Sequence, residues 1–141
     1  CHEVISGVDL YPTFLALAGA AKPSHTLDGT DLTSILIDPR QRLAPRELFW
    51  YFPSYSSFHR PSVVARRGDW KLIHLFETGE SELYHTDNDI GDTTNVAAEH
   101  PDVVKDLESC IRKWMDEAEA PRMTPNPEYD PTVQRKKRRS P

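Results

Sequence analysis

Two cysteines in 141 residues are too few for a disulfide scaffold, and the spacing of Cys1 and Cys110 matches no metal-binding pattern. Glycine-rich phosphate loops, His-Glu-x-x-His zinc helices and Gly-x-Ser-x-Gly elbows are all missing, so the commonest catalytic signatures are excluded. No apolar run approaches the roughly 20 residues needed to span a bilayer, and no secretory leader is visible, so no membrane partner is expected. There is no internal repeat. The chain opens on Cys1 rather than Met. A processed lipoprotein would also begin this way, but no polar tether follows and the apolar pattern starts at once, which reads as a fragment of a longer protein.

Base is scarce outside the last ten residues. The formal charge is −5, but Arg135, Lys136, Lys137, Arg138 and Arg139 supply five of the 17 bases, leaving 12 bases against 22 acids in residues 1–131. So acidic a body is a poor electrostatic match for nucleic acid, and no nucleic-acid partner is expected. The basic run has two readings: a nuclear-import or phosphate-binding patch, or a solvated terminus. Cys110 falls among the apolar positions of a helix and reads as a packed thiol.

What is present is enough for one domain with a real core. The apolar fraction is 38%, and 12 prolines make the chain rich in turns and irregular segments. Asp9 is a candidate N-cap for a short helix through Ala18, with Pro12 at its third position, where the N–H is unpaired in any helix. Asp31 is placed to cap one turn over Leu32–Leu36, stopped by Asp38-Pro39. Glu47–Phe52 reads as a short aromatic strand between two prolines, Ser62–Arg66 as a second and Trp70–Phe76 as a third. Glu77-Thr78-Gly79-Glu80 supplies a turn into a fourth strand, Ser81–His85. Tight turns between short strands imply an antiparallel sheet.

A helix is predicted over 101–118. Pro101 suits its first position, and Val104, Leu107, Ile111, Trp114, Met115 and Ala118 recur at helical spacing, so one face should lie on the sheet. After Ala120 the chain is punctuated by Pro121, Pro125, Pro127 and Pro131 and should run without regular structure. The expected class is α+β: a four-stranded antiparallel sheet with a C-terminal helix packed on one face, preceded by a separate helix.

Few residues suggest chemistry. Asp87, Asp89 and Asp92 look superficially like a calcium loop, but the glycine at the sixth position and the bidentate acid at the twelfth are missing, so a polar turn is expected. His74 and His85 flank the hairpin and could face each other. His59 lies with Arg60, Tyr55 and Phe58 in a loop between two strands, the kind of segment that a rigid sheet holds for binding. An imidazole beside a guanidinium could hydrogen-bond an anionic sugar or a sulfate. The alternative is a loop that only joins strands.

The pattern Arg67-Gly68-Asp69-Trp70-Lys71-Leu72-Ile73, then Glu82-Leu83-Tyr84, then Asp89-Ile90-Gly91-Asp92-Thr93-Thr94-Asn95, resembles the C-terminal subdomain of sulfatases. Ile5–Gly19 resembles the "V-D-L-x-P-T-L-L-x-L-A-G" helix of that family, and Asp28-Gly29-Thr30-Asp31-Leu32 the segment after it. Leu48–Tyr51 with Pro53 and Tyr55 is similar to its "W-x-Y-P-x-Y" strand and loop, and Asn126–Pro131 to a common ending. Together these pieces cover most of residues 5–131 in the family order.

The resemblance implies that residues 1–44 end a larger α/β sulfatase domain, 45–120 form the C-terminal sheet-and-helix subdomain, and 121–141 are an extended segment and basic tail. It implies a parent enzyme that hydrolyses sulfate esters of small molecules or glycans, with formylglycine and calcium held upstream, and a subdomain that packs on the missing N-terminal domain. An exported, periplasmic or lysosomal parent is compatible with this. The maturation motif "C/S-x-P/A-x-R" is matched by neither Cys1 nor Cys110, so no catalytic or metal role falls on this chain. His59 and Arg60 are the substrate-binding candidates, although Ser54 stands where many relatives carry a histidine. Two alternatives remain open: part of a related phosphodiester or phosphonate hydrolase, and a free-standing interaction module with a basic tail.

Overall fold

The computed structural model describes residues 3–55 and 60–130, and the chain divides into two compact units, Cys1–Arg46 and Glu47–Pro141. The basic run 135–139 lies outside the described residues.

In the first unit a 3-10 turn, Gly7–Asp9, leads into helix α1 (Leu10–Leu17), and a loop connects to the short helix α2 (Thr33–Ile37). Asp9 is at the expected position but does a different job. Its side chain does not cap α1; the carboxylate, with no exposed surface, accepts hydrogen bonds from the Ser6 amide at 2.7 Å and the Thr30 amide at 2.8 Å. Both terminal nitrogens of Arg46 reach it at 2.6 Å in a bidentate pair. Thr13 Oγ1 donates to the Asp9 carbonyl at 2.6 Å and accepts from the Leu32 amide at 3.0 Å, tying α1 to the start of α2.

Gly29 is required where this knot closes, because a Cβ there would stand 2.0 Å from the Val8 carbonyl oxygen. Helix α2 begins one residue later than expected, and Asp31 accepts the Thr33 amide at 2.8 Å.

The second unit is one antiparallel sheet in the order β1-β2-β3-β4, formed by β1 (Glu47–Phe52), β2 (Ser62–Arg67), β3 (Trp70–Leu75) and β4 (Ser81–His85). Chain order equals sheet order because each connection is short enough to return the chain beside the strand it left. Gly79, at φ +70°, makes the β3–β4 turn in a conformation that other residues adopt at a cost. The alternation of β3 puts Leu72 beside Ala65 and Leu83 on one face.

Helix α3 (Pro101–Glu117) lies over that face, where Leu107, Ile111 and Met115 meet Val63, Ala65, Leu72 and Leu83 in a closed core. Trp114 stacks on Phe49 with ring centroids 4.9 Å apart. The chain between sheet and helix is pinned at Asn95, whose side-chain oxygen accepts the Leu83 amide at 3.1 Å and the Ala97 amide at 3.0 Å.

The buried Asp9–Arg46 pair makes a testable demand. Its hydrogen bonds, that from Arg46 first, hold the Asp9 carboxyl down from its ordinary 3.8 to about 2 against the opposing effect of burial. The folded value lies below the unfolded one, so the contribution, about 2 kcal/mol, is complete above pH ~4 and disappears as pH falls through ~2. Replacing Arg46 with Ala strands a buried charge, at a cost of about 3–5 kcal/mol. Hydrogen exchange at the Thr30 and Leu32 amides should then accelerate by roughly a hundredfold or more at neutral pH. Unchanged exchange would show that the pair does not hold the unit together.

Candidate functional site

Of the two binding candidates, His59 lies outside the described residues, and Arg60 is an exposed side chain just before β2. Among the described residues no carboxylate forms an ion pair with Arg60. The next residue, Pro61, is fully buried, and its carbonyl accepts the Phe76 amide at 3.0 Å. On the other flank, the Tyr55 hydroxyl donates to the Glu77 carboxylate. The described flanks of the β1–β2 connection are therefore held by two consecutive residues at the end of β3, and Arg60 projects from one of them.

The remaining polar candidates are committed elsewhere. The Asp89 carboxylate accepts the amides of Thr93 and Thr94 at 2.8 Å each and the Thr93 hydroxyl at 2.9 Å. Asp92 adopts φ +51° and pairs with Lys71 across the sheet edge. These acids build a turn. His74 and His85 do not face each other: in the strand register Ser81 opposes His74, and Trp70 opposes His85. The His85 ring instead meets Trp70 edge-on at 4.8 Å, and His100 meets Trp70 at 4.9 Å.

A polar chain that the sequence reading missed runs from His74 through Ser81 to Glu108. His74 Nδ1 lies 3.0 Å from Ser81 Oγ, and that hydroxyl donates to Glu108 Oε1 at 2.8 Å. Because the hydroxyl proton goes to the carboxylate, Ser81 receives the Nδ1 proton of a neutral imidazole. Glu108 comes from α3, 27 residues away in the chain, which is why the strand pattern alone gave no sign of it.

Among the described residues there is no group of three His, Cys, Asp or Glu side chains arranged to hold a metal ion. Cys110 is half-buried on α3, with its sulfur 3.9 Å from an Arg67 nitrogen.

The sheet with its covering helix and the ordered turn after β4 define a sulfatase-type C-terminal domain. The family model described as N-sulphoglucosamine sulphohydrolase, C-terminal, matches residues 1–119, and the chain belongs to the sulfatase family, in its C-terminal portion. A sulfatase from Formosa agariphila is 35% identical over 134 residues, covering 84% of this chain and 24% of that protein. Human arylsulfatase A is 36% identical over 107 residues, covering 75% of this chain and 20% of that protein.

The solved structure of Ps i-CgsB matches with a TM-score of 0.63 at 25% identity, over 79% of this chain and 24% of its own. It has also been solved in complex with k-i-k-neocarrahexaose. The chain spans about a fifth to a quarter of the length of these curated relatives.

The His74 chain can be checked directly. Burial pushes the imidazole below its ordinary 6.5, with the Glu108 charge pulling the other way and Arg112 adding to the depression. A group depressed in this way favours the fold when neutral, and that contribution is lost as pH falls through its folded value. NMR titration should place His74 below 6.5, and Glu108→Gln should lower it further. A midpoint at or above 6.5 would contradict the geometry.

Proposed function

We propose that this chain is the C-terminal part of an enzyme that hydrolyses sulfate esters. Residues 1–44 complete its catalytic domain, 45–120 form the sheet-and-helix subdomain, and 121–141 are an extended segment with a basic tail. Formylglycine and calcium, held by upstream residues, supply the nucleophile and offset the sulfate charge in such an enzyme. This chain's part is structural: it docks on the N-terminal domain and lends Arg60, with His59, to the wall of the substrate cleft. A guanidinium at a cleft wall suits an anionic ester, by hydrogen bonding and by charge, and a sulfated small molecule or glycan is the substrate class.

The observation that carries the reading is apolar surface left bare in both units. On α1, Tyr11, Phe14 and Leu17 are 51%, 61% and 59% exposed. On the sheet, the face opposite α3 carries the half-exposed Trp50 and Ile73 and the exposed Phe52 around a concavity of about 530 Å³, rimmed by Arg66, Lys71 and Asp92. Patches of this kind mark interfaces in a soluble protein. A chain that matches about a quarter of its relatives' length has such a partner in the remaining three quarters.

Three measurements test this. The purified 141-residue chain should show no turnover of an aryl sulfate above background with calcium added; activity would overturn the division of labour. The isolated chain should melt broadly, and a sharp cooperative transition of a monomer would count against a docking role. The coding region immediately upstream should contain a "C/S-x-P/A-x-R" motif, and its absence would remove the proposed reaction.

A further inference from the structure

Between the β3–β4 hairpin, α3 and the segment that follows α3 lies a cavity of about 310 Å³. Phe76, Ile111, Met115 and Met123 supply apolar wall, and His74, Glu108, Arg112 and Arg122 supply polar wall. Glu108, Ile111, Arg112 and Met115 stand about one turn apart on α3, so a single helical stripe brings charge and apolar surface together. The charged groups are unevenly engaged. Glu108 accepts the Ser81 hydroxyl at 2.8 Å, while Arg112 Nη1 stands 3.8 Å from its other oxygen, beyond hydrogen-bond reach. Arg122 gives Nη2 to Asp116, whereas its Nη1 meets the Met115 sulfur at 3.7 Å. A thioether is a weak acceptor, so this N–H lacks an oxygen partner among the described residues. Two guanidinium groups and one carboxylate thus line the cavity, a local positive excess in a chain of formal charge −5.

We propose that this cavity binds a small organic anion, a single apolar ring bearing one carboxylate or sulfonate head, with Arg112 and Arg122 on the head and Phe76, Met115 and Met123 on the ring. Ligand cavities begin at roughly 300 Å³, so one ring is accommodated and a longer ligand is not. The planar guanidinium fork matches the paired oxygens of such a head. Methionine adapts its shape to a neighbouring group, and its sulfur packs favourably against an aromatic ring. Neither half of the ligand suffices alone. A bare inorganic anion leaves the apolar wall unfilled, and a neutral ring leaves the guanidinium donors unanswered. Glu108 opposes an anion, but the two guanidinium groups outnumber it. The inference does not rest on the hydrolysis proposed above, because Arg60 is not among the residues that line this cavity.

The test is NMR on the full-length protein, isotope-labelled at the methionine methyls, with the Met115 and Met123 signals assigned from Met115→Leu and Met123→Leu. Benzoate should shift both signals saturably with a Kd of about 1 mM, an ordinary affinity for a ligand of this size. Benzenesulfonate should move the same signals, and the tighter of the two identifies the head group. Benzyl alcohol keeps the ring without the charge, and inorganic sulfate keeps the charge without the ring; each should bind at least about tenfold more weakly than benzoate. Arg112→Ala and Arg122→Ala should each weaken benzoate about tenfold. Both side chains are more than half exposed, at 60% and 57%, so their loss leaves the core intact. The absence of a saturable shift up to about 50 mM benzoate overturns the proposal. So does equal binding of benzyl alcohol or of inorganic sulfate, or an unchanged Kd in both arginine variants. A ligand that shifts only other methionine signals is bound elsewhere and overturns the site as well.

Discussion

The packing of Leu107, Ile111 and Met115 from α3 onto Val63, Ala65, Leu72 and Leu83 is the contact on which the rest of the second unit depends. Four strands of five or six residues form a sheet too small to be stable with one face in water, so a covering element is a condition of folding. Each buried leucine contributes roughly 1.5–3 kcal/mol relative to exposure. The contact also sets the register, since a slip of one residue would send Leu72 and Val63 to the opposite face. With the register fixed, Pro61 comes beside Phe76 and Tyr55 beside Glu77, and the flanks of the β1–β2 connection have their places. The helix on one face thus sets the places of the described residues that flank this connection.

The first unit depends on a polar constraint instead. Asp9 gathers two backbone amides and a guanidinium around a carboxylate shielded from water. The arrangement holds only with all the donors in place, because a buried charge that loses its partner is far costlier than an exposed one. Gly29 is part of the same constraint, since the chain must pass against the Val8 carbonyl to bring Thr30 to the carboxylate.

Where periodicity carries the information, the sequence was readable. The spacing of Leu107, Ile111 and Met115 states which face of α3 is buried, and the structure buries that face. Side chains whose partners are distant in sequence were not readable. An aspartate before a helix looks like a cap, and nothing nearby shows that its partners lie 21 and 37 residues away. Glu77 was read as a turn residue for the same reason. Its position is indeed at a turn, and its hydrogen-bond partners are Tyr55 and Asn126. The pairing of His74 with Ser81 follows from strand register, which alternation restricts without fixing.

The distribution of charge explains why a domain so rich in ionisable groups carries no assigned chemistry. Asp9 is matched by Arg46, Asp92 by Lys71, Asp106 by Arg67 and Asp116 by Arg122, while Glu108 takes the Ser81 hydroxyl. A carboxylate engaged by a cation or a hydroxyl is oriented by that partner, which suits a framework. Arg60 stands apart from these pairs among the described residues, exposed at the edge of a braced connection. Arg66 and Lys105 of the second unit likewise appear in none of these pairs among the described residues.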